Sequence, residues 1–197
     1  MAWYKSIIKP AFDFLLAIII ILLLWPLLLI IFFINLLVFK KGFFVQNRIG
    51  RHNQNFECIK FRSLRYKGQD DSAPVWGKFL RYSSLDELPQ VINILRGEMS
   101  FIGPRPLLPE YLAEYTREQA KRHNVKPGIT GLAQVKGRNL LAWEESQSLD
   151  VFYAENLSFQ LDLRILLQTI PQLFKINEVQ LSSRQTREPF KRKSEND

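Results

Sequence analysis

The stretch FLLAIIIILLLWPLLLIIFFI, residues 14–34, is a run of 21 consecutive apolar residues that decides the architecture of the chain. A helix needs about 20 such residues to cross the hydrocarbon core of a membrane. A cleaved signal peptide is a poor interpretation, because its apolar core has about 7–15 residues and ends at a small-residue cleavage site, which is missing here. The run therefore predicts a membrane element that stays attached to the protein.

Two features leave the course of this element open. Pro26 lies at the middle of the run, where a proline removes one helical hydrogen bond and clashes with the preceding turn. Both flanks are basic, with Lys5 and Lys9 before the run and Lys40 and Lys41 after it. Because Lys and Arg are enriched in cytoplasmic flanks, these charges favour both ends on the cytoplasmic side. A kinked spanning helix and a helix–break–helix hairpin are both consistent with the pattern.

The composition excludes several classes of protein. The chain has 197 residues, with 27 Lys and Arg against 19 Asp and Glu and a net charge of +8. Apolar residues make up 47% and charged residues 23%, which excludes a wholly disordered chain. Cys58 is the only cysteine, which excludes intramolecular disulfides and cysteine-rich zinc sites and favours a reduced, cytoplasm-facing setting. The positive charge suits an anionic partner, either a membrane surface or a phosphate-bearing ligand.

The rest of the chain predicts one mixed domain of helices with a minor sheet. Two aromatic and β-branched runs between residues 42 and 61 enclose a polar turn, which predicts a β-hairpin. Segments 67–74 and 99–109 are predicted as loops. Helices are predicted over 85–95, 110–123, 141–155 and 159–176. The apolar face of the last helix suits either a core contact or a helix lying in the membrane interface.

The segment LRYSSLDELPQ, residues 80–90, is the most informative for chemistry. Ser84 followed three residues later by Glu87 is a capping-box pattern, so one interpretation is that Ser84, Asp86 and Glu87 only begin a helix. The other interpretation is catalytic. Carboxylates at a helix N-terminus have lowered pKa values and stay ionised, so one attacks phosphorus while its neighbour helps to hold a divalent metal.

Basic side chains that would neutralise a diphosphate lie in or beside constrained segments. Arg105 stands between Pro104 and Pro106, and such a rigid loop suits a phosphate clamp. Arg62 directly follows the predicted hairpin over 42–61, and Arg81 is the second residue of the segment 80–90. Purely structural roles are also consistent with the sequence. Arg62 would then pair on a sheet face or reach a membrane surface, and Arg105 would connect a loop to a helix C-terminus. The glycine-containing stretch 122–138 suits a backbone cradle for phosphate or uracil.

Taken in order, these motifs strongly resemble the bacterial sugar transferase family. The segments that carry the resemblance are 60–63, 80–90, 97–106 and 122–138, and the likeness extends from about residue 5 to residue 176. The chain looks like the small, monotopic phosphoglycosyl transferases, which start glycoconjugate and polysaccharide assembly on polyprenol phosphate. Because several motifs occur in the same order and spacing, the probability of a chance match is very small.

The resemblance implies a reaction and a set of site residues. Asp86 is the expected nucleophile, which attacks a UDP-sugar, releases UMP and forms a phosphosugar-aspartyl intermediate. Undecaprenyl phosphate, the polyprenol acceptor, then attacks this intermediate in a ping-pong reaction. Asp86 and Glu87 are the expected Mg²⁺ ligands. The expected substrate-binding residues are Lys60, Arg62, Arg81, Arg105, Gln134 and Arg138.

The resemblance also implies the fold and the membrane topology. The expected class is α+β, helix-rich with a small β-hairpin or sheet, a re-entrant helix–break–helix bent at Pro26, and interfacial amphipathic helices. Family members often have serine before this proline, where the chain has Trp25, which puts the local hydrogen bond at the break in question. We expect a membrane hairpin over 1–40, a catalytic domain over 41–180 and a disordered polar tail over 181–197. The location expected is the cytoplasmic face of the bacterial inner membrane.

Two other functions are consistent with parts of the sequence. A non-catalytic, membrane-anchored basic module that binds anionic lipid explains the charge and the apolar run, but gives no reason for Asp86 and Glu87 among arginines. An enzyme that hydrolyses or exchanges lipid diphosphates predicts activity without a UDP-sugar. No standard nucleic-acid-binding motif occurs, so a nucleic-acid partner is not expected.

Overall fold

The computed structural model describes residues 3–67, 70–137 and 140–173. Within these ranges the helices are α1 (Lys9–Phe39), α2 (Val75–Tyr82), α3 (Gln90–Leu95), α4 (Arg117–Ala120), α5 (Leu132–Lys136), α6 (Trp143–Glu155) and α7 (Phe159–Leu173). The strands are β1 (Phe43–Ile49), β2 (Asn55–Phe61), β3 (Arg65–Lys67), β4 (Asp70–Ser72), β5 (Ser100–Ile102) and β6 (Gly128–Thr130). The helix-rich α+β class is confirmed. Arg138 and the predicted tail over 181–197 lie outside the described residues, and the domain boundaries stay predictions.

The apolar run forms one long helix. A π-helical turn over Tyr4–Ile8 leads into α1, which continues through Pro26 and ends where Lys40 adopts a left-handed conformation with φ 58°. The expected break at Pro26 is therefore not seen as two separate helices. A proline lacks a single N–H donor, and the hydrogen bonds on either side of it keep the flanking turns helical.

Polar side chains tie the beginning of α1 to the rest of the protein. The Lys9 ammonium lies 2.8 Å from a carboxylate oxygen of Asp162 on α7, and both side chains are buried. The Tyr4 hydroxyl donates to the same carboxylate at 2.7 Å. One turn after Lys9, Asp13 accepts a hydrogen bond from the backbone N–H of Phe101 in β5 at 3.2 Å. Buried charges require such partners, so these contacts fix where the helix starts.

A second polar anchor lies near the end of α1. Asn35 is fully buried and donates to the backbone carbonyls of Gly42 and Arg62, both at 3.0 Å. Its carbonyl oxygen accepts from the indole N–H of Trp76 in α2 at 2.7 Å. Ala17 and Ile31, between the two anchors, are buried on the same domain. One face of α1 thus packs against the domain along its whole length.

The opposite surface of α1 is apolar and exposed. Its uncovered residues include Leu22, Leu23, Phe33 and Leu37. Within the described ranges, the segment Tyr4–Phe39 is the one helix long and apolar enough to cross a membrane by length and composition. Soluble proteins seldom expose a continuous apolar surface of this extent, so the exposure favours contact with lipid.

The predicted hairpin over residues 42–61 is confirmed as the antiparallel pair β1–β2. Its register runs from Phe43 opposite Phe61 to Ile49 opposite Asn55. A second small hairpin, β3–β4, occupies part of the segment that was predicted as a loop over 67–74. That prediction was wrong because two three-residue strands are too short to leave an alternating pattern in the sequence.

One strand of a short parallel pair, β5, lies inside the segment predicted as an irregular loop over 99–109. Ser100 of β5 pairs with Gly128 of β6, and Ile102 pairs with Thr130. The chain then passes so close to β6 that a Cβ on Gly128 would collide with the backbone nitrogen of Gly103. Only glycine fits at such a close approach of two backbones. The pairing therefore fixes the loop that follows β5.

Helices α6 and α7 agree with the predicted segments over 141–155 and 159–176, as far as the latter is described. Tyr153 and Ile165 are almost completely buried in a core with Ile102 and Leu132. The predicted apolar face of α7 divides into two parts. Ile165 packs in the core, whereas the exposed part contains Leu163, Leu166, Leu167 and Ile170. The predicted helical segment 110–123 is a series of short turns, with α4 between two 3-10 turns.

Candidate active site

A cleft of about 960 Å³ lies between the β1–β2 hairpin, the segment around Asp86 and helices α5, α6 and α7. The cleft brings together every predicted catalytic and substrate-binding residue that the structure describes, whereas Pro26, predicted as the membrane bend, lies in α1 outside it. The residues in the cleft are Lys60, Arg62, Arg81, Asp86, Glu87, Arg105 and Gln134. Residues separated by up to 74 positions in the sequence therefore line one space, and Arg138 is the predicted member outside the described residues.

The two carboxylates lie on a single 3-10 turn, Leu85–Glu87, rather than on the first turn of an α-helix. Ser84 adopts a left-handed conformation with φ 56° and makes no side-chain capping bond, so the predicted capping box was wrong. An N-cap residue normally has extended backbone angles, which the left-handed conformation excludes. Leu85 and Leu88 pack against the buried Leu80 and Phe61 and hold the turn in place.

Glu87 is paired with two cations from distant segments. Its Oε1 atom lies 2.7 Å from the ammonium of Lys60 on β2 and 3.2 Å from the guanidinium of Arg105. Burial alone would raise the pKa of Glu87, but the charges of Lys60 and Arg105, and their hydrogen bonds, outweigh it and lower the pKa to about 2. Glu87 is therefore ionised at neutral pH, and Lys60 and Arg105 compensate its negative charge.

Asp86 is in a different state from its neighbour. Within the described residues its side chain makes no hydrogen bond or ion pair. Burial raises the pKa of Asp86 to about 6, the negative charge of Glu87 adds to this, and Lys60, Arg81 and Arg105 oppose it. The sequence predicted a lowered pKa for both carboxylates, which was wrong for Asp86. The prediction relied on the helix dipole and ignored desolvation and the adjacent negative charge.

The loop that carries Arg105 is held from two sides. Gly128 donates its N–H to the Pro104 carbonyl, and the Arg105 carbonyl accepts from the Arg122 guanidinium, both at 2.9 Å. Arg122 is itself buried, and its ion pair with Asp150 on α6 has a distance of 2.6 Å. Arg105 thus presents its guanidinium to Glu87 from a rigid backbone, as a phosphate clamp requires.

Sequence reasoning missed several residues of the cleft. Gln46 and Arg48 line it from β1, two and four positions after Phe44, whose cross-strand partner is Lys60. The period-2 alternation of a strand places all of these on one face, so the predicted hairpin already contained the signal. Gln147 and Asp150 of α6 also line the cleft. Both are isolated polar residues in a helix without marked amphipathicity, so no sequence pattern indicated that they face the cleft.

The acidic pair suits a magnesium ion that is shared with a substrate. The described residues contain no group of three or more His, Cys, Asp or Glu side chains that would form a metal cage from protein alone. Mg²⁺ is commonly bound by one or two carboxylates together with substrate phosphates and water. The Asp86 carboxylate has no bonded partner among residues 3–67, 70–137 and 140–173, and Glu87 stays ionised, so these two residues fit such an ion.

Comparisons with known proteins place the chain among sugar transferases. A family model described as "Bacterial sugar transferase" matches residues 4–176. An uncharacterized sugar transferase, EpsL of Bacillus subtilis, is 42% identical over 165 residues, which are 80% of this chain and 82% of that protein. The exopolysaccharide production protein ExoY of Sinorhizobium fredii is 37% identical over 194 residues, covering 84% of this chain and 85% of that protein.

A longer relative carries a more specific name. The UDP-glucose:undecaprenyl-phosphate glucose-1-phosphate transferase of Xanthomonas campestris pv. campestris is 38% identical over 146 residues. The match covers 64% of this chain and 30% of that protein. The family resemblance that the sequence motifs predicted is confirmed.

Proposed function

The chain belongs to the bacterial sugar transferase family, and from this premise we propose that it transfers a sugar 1-phosphate from a UDP-sugar to undecaprenyl phosphate and releases UMP. The name of the Xanthomonas relative, which specifies a UDP-sugar donor and this lipid acceptor, supports the proposal. So does the name of the Sinorhizobium relative, which places a similar protein in exopolysaccharide production. The product would be the first lipid-linked intermediate of a polysaccharide.

The observation that carries the proposal is the contrast between two adjacent carboxylates. Glu87 is bonded to Lys60 and Arg105, whereas Asp86, beside it in the same cleft, has no bonded side-chain partner within the described ranges. A nucleophile needs an accessible oxygen, and its neighbours must compensate the charge of the phosphate it attacks. A purely structural pair of carboxylates would be expected to have both members bonded.

The reaction proceeds through two displacements at one phosphorus atom. An Asp86 carboxylate oxygen attacks the phosphorus that bears the sugar, the bond from this phosphorus to the bridging oxygen breaks, and UMP leaves with that oxygen. A phosphate oxygen of undecaprenyl phosphate then attacks the same phosphorus, and the bond to Asp86 breaks. Two simpler displacements replace one crowded reaction of three bodies. The sequence of events is ping-pong, and Asp86 is regenerated.

The basic residues of the cleft bind the donor. Arg105 and Lys60 already contact Glu87, and they are placed to contact the phosphates of a bound donor as well. Arg62 and Arg81 add positive charge on the same wall of the cleft, and Gln134 adds an amide. Mg²⁺ held by Asp86 and Glu87 would neutralise part of the diphosphate charge, so that an anionic nucleophile can approach it.

The packing of α1 supports a monotopic, re-entrant anchor. Lys9 and Asn35, near the two ends of the helix, are both bonded to the same domain. A helix that crossed the bilayer would place its ends on opposite sides, and one end would lose its partners. The exposed apolar surface of α1 and of α7 would then lie in one leaflet, with the cleft at the interface where a lipid phosphate and a soluble nucleotide meet.

The anchor makes a direct topological prediction. Cysteines introduced before Tyr4 and at Lys41, in a Cys58→Ser background, are expected to react with a membrane-impermeant thiol reagent only after the cytoplasmic side has been exposed. Asn47→Cys, on the exposed edge of β1, serves as the cytoplasmic control. Labelling of either terminal position in intact spheroplasts would instead establish a spanning helix.

The proposed reaction is tested by UMP release from purified protein in detergent. With Mg²⁺, undecaprenyl phosphate and a panel of UDP-sugars, we expect UMP release with at least one sugar and loss of that release on addition of EDTA. Turnover of lipid diphosphates in the absence of any UDP-sugar would overturn the proposal in favour of an enzyme that hydrolyses or exchanges lipid diphosphates. If the folded protein is inactive with every UDP-sugar of the panel, the result would favour the non-catalytic module that binds anionic lipid.

A further inference from the structure

One wall of the cleft contains a buried amide that has no hydrogen-bond partner in the part of the chain that the structure describes. Gln147 on α6 is 1% exposed and lines the cleft. Neither its Oε1 nor its Nε2 atom has a hydrogen-bond partner among the described residues. Leaving a buried polar group unsatisfied destabilises a protein, so native structures seldom do it without a functional reason. Because both a donor and an acceptor are unpaired, the ligand must offer both.

The surroundings of Gln147 distinguish it from its neighbours on α6. The Oδ2 atom of Asp150, one turn further along, accepts a hydrogen bond from Arg122 at 2.6 Å, whereas neither polar atom of Gln147 has a partner among the described residues. Trp143, one turn before, lines the same cleft, and its ring makes an edge contact with Tyr111 at a centroid distance of 5.5 Å. An aromatic side wall beside an unpaired amide is suited to a flat, polar ring, since bases stack on aromatic side chains.

This wall is connected to the proposed reaction centre through a short chain of contacts. Asp150 is bonded to Arg122, whose guanidinium also donates to the Arg105 carbonyl, and the Arg105 side chain reaches Glu87. A ligand that spans the cleft from Gln147 would therefore pass the phosphate-binding cations on its way to Asp86. A nucleotide sugar has this order of groups: base, ribose, diphosphate and sugar.

The geometry of a primary amide restricts which chemical groups of a ligand can pair with Gln147. The C=O and one N–H of a glutamine side chain point in the same direction and form two parallel hydrogen bonds with a group of complementary shape. The imide edge of uracil presents N3–H beside a carbonyl in this arrangement. The acetamido group of an N-acetylated sugar is a trans amide, whose N–H and C=O point in opposite directions, so it pairs with one of the two atoms only.

We propose that Gln147 recognises the nucleobase of the donor, by pairing its side-chain amide with the imide edge of uracil beside the Trp143–Tyr111 wall. This inference rests on the proposed function, since it assumes a uridine nucleotide as donor. The amide then acts as a specificity-determining group that contacts the substrate far from the bond that breaks. Its unpaired state in the free protein is resolved when the base binds.

The test compares the affinity of UMP for the full-length protein and for Gln147→Met, which has a side chain of similar length without polar atoms. We expect UMP to bind the variant about 10- to 100-fold more weakly, as the loss of two hydrogen bonds to a buried base implies. N3-methyl-UMP, which lacks the N3–H donor, is expected to bind the wild-type protein as weakly as UMP binds the variant. Glu145→Met, at an exposed position of α6, is the matched control and should bind UMP normally.

Thermal unfolding separates this role from a structural one. Because Gln147→Met removes an unsatisfied buried amide, its melting temperature should equal or exceed that of the wild type. A lower melting temperature with unchanged UMP affinity would overturn the proposal and make Gln147 a structural residue. Unchanged UMP affinity with a raised KM for UDP-N-acetylhexosamines, relative to UDP-hexoses, would overturn it in favour of an acetamido contact. Wild-type protein that binds neither UMP nor any UDP-sugar would contradict the proposed function itself.

Discussion

Replacing Asp86 with asparagine is expected to lower UMP release by about 10,000-fold or more, a loss typical of removing a catalytic nucleophile. The amide keeps the shape of the side chain but has no anionic oxygen with which to attack phosphorus. Because Asp86 makes no hydrogen bond or ion pair with another described residue, the variant should fold and insert into the membrane normally. The measurement is UMP release with the preferred UDP-sugar, at equal amounts of membrane-inserted protein.

The control for this variant changes a carboxylate outside the cleft. Glu145 is exposed on α6, so Glu145→Gln should retain full activity while undergoing the same change of charge. UMP release by Asp86→Asn within tenfold of the wild type would remove Asp86 from the role of nucleophile. Loss of both activity and membrane insertion would assign Asp86 a structural role instead.

Replacing Glu87 with glutamine is expected to lower UMP release by about 1,000-fold, the second largest effect. Lys60 and Arg105 would lose the carboxylate that they share at 2.7 and 3.2 Å. Asp86 would then become the nearest anion for both cations, and its attacking oxygen would be held in an ion pair. Loss of a metal ligand adds to the effect, since one carboxylate holds Mg²⁺ less well than two.

The magnesium dependence distinguishes these two contributions in Glu87→Gln. If Glu87 helps to hold the ion, the variant should need a higher Mg²⁺ concentration for half-maximal activity than the wild type. Glu87→Asp, which keeps a carboxylate, should need less Mg²⁺ than Glu87→Gln. Lys121→Gln, which removes the cation shared by the exposed carboxylates of Glu118 and Glu155, is the matched control for a disturbed ion pair. Activity of Glu87→Gln equal to that of the wild type would contradict the role assigned to the pair.

The sequence predicted those features that depend on local pattern or on family motifs. The β1–β2 hairpin and the long helices α1, α6 and α7 follow from runs of residues with a clear period. The grouping of Lys60, Arg81 and Arg105 around the acidic pair came from the motif resemblance, and the cleft contains all of them. These predictions needed no knowledge of which distant segments pair.

The features that the sequence did not predict depend on long-range contacts. The parallel pair β5–β6 joins segments 28 residues apart through three-residue strands, which have no pattern of their own. The left-handed Ser84 replaces a helix cap because the 3-10 turn is held by packing from Leu80 and Phe61. The raised pKa of Asp86 results from burial first and from Glu87 second, and burial is a property of the folded protein.

A covalent intermediate on Asp86 would accumulate when the protein is mixed with its UDP-sugar and Mg²⁺ in the absence of undecaprenyl phosphate. We expect a burst of about one UMP per enzyme molecule. We also expect a mass increase equal to one phosphosugar, located by peptide mass spectrometry on Asp86 and absent from Asp86→Asn. Turnover with both substrates, but neither UMP nor adduct without the lipid phosphate, would contradict the covalent intermediate and establish direct transfer between the two bound substrates.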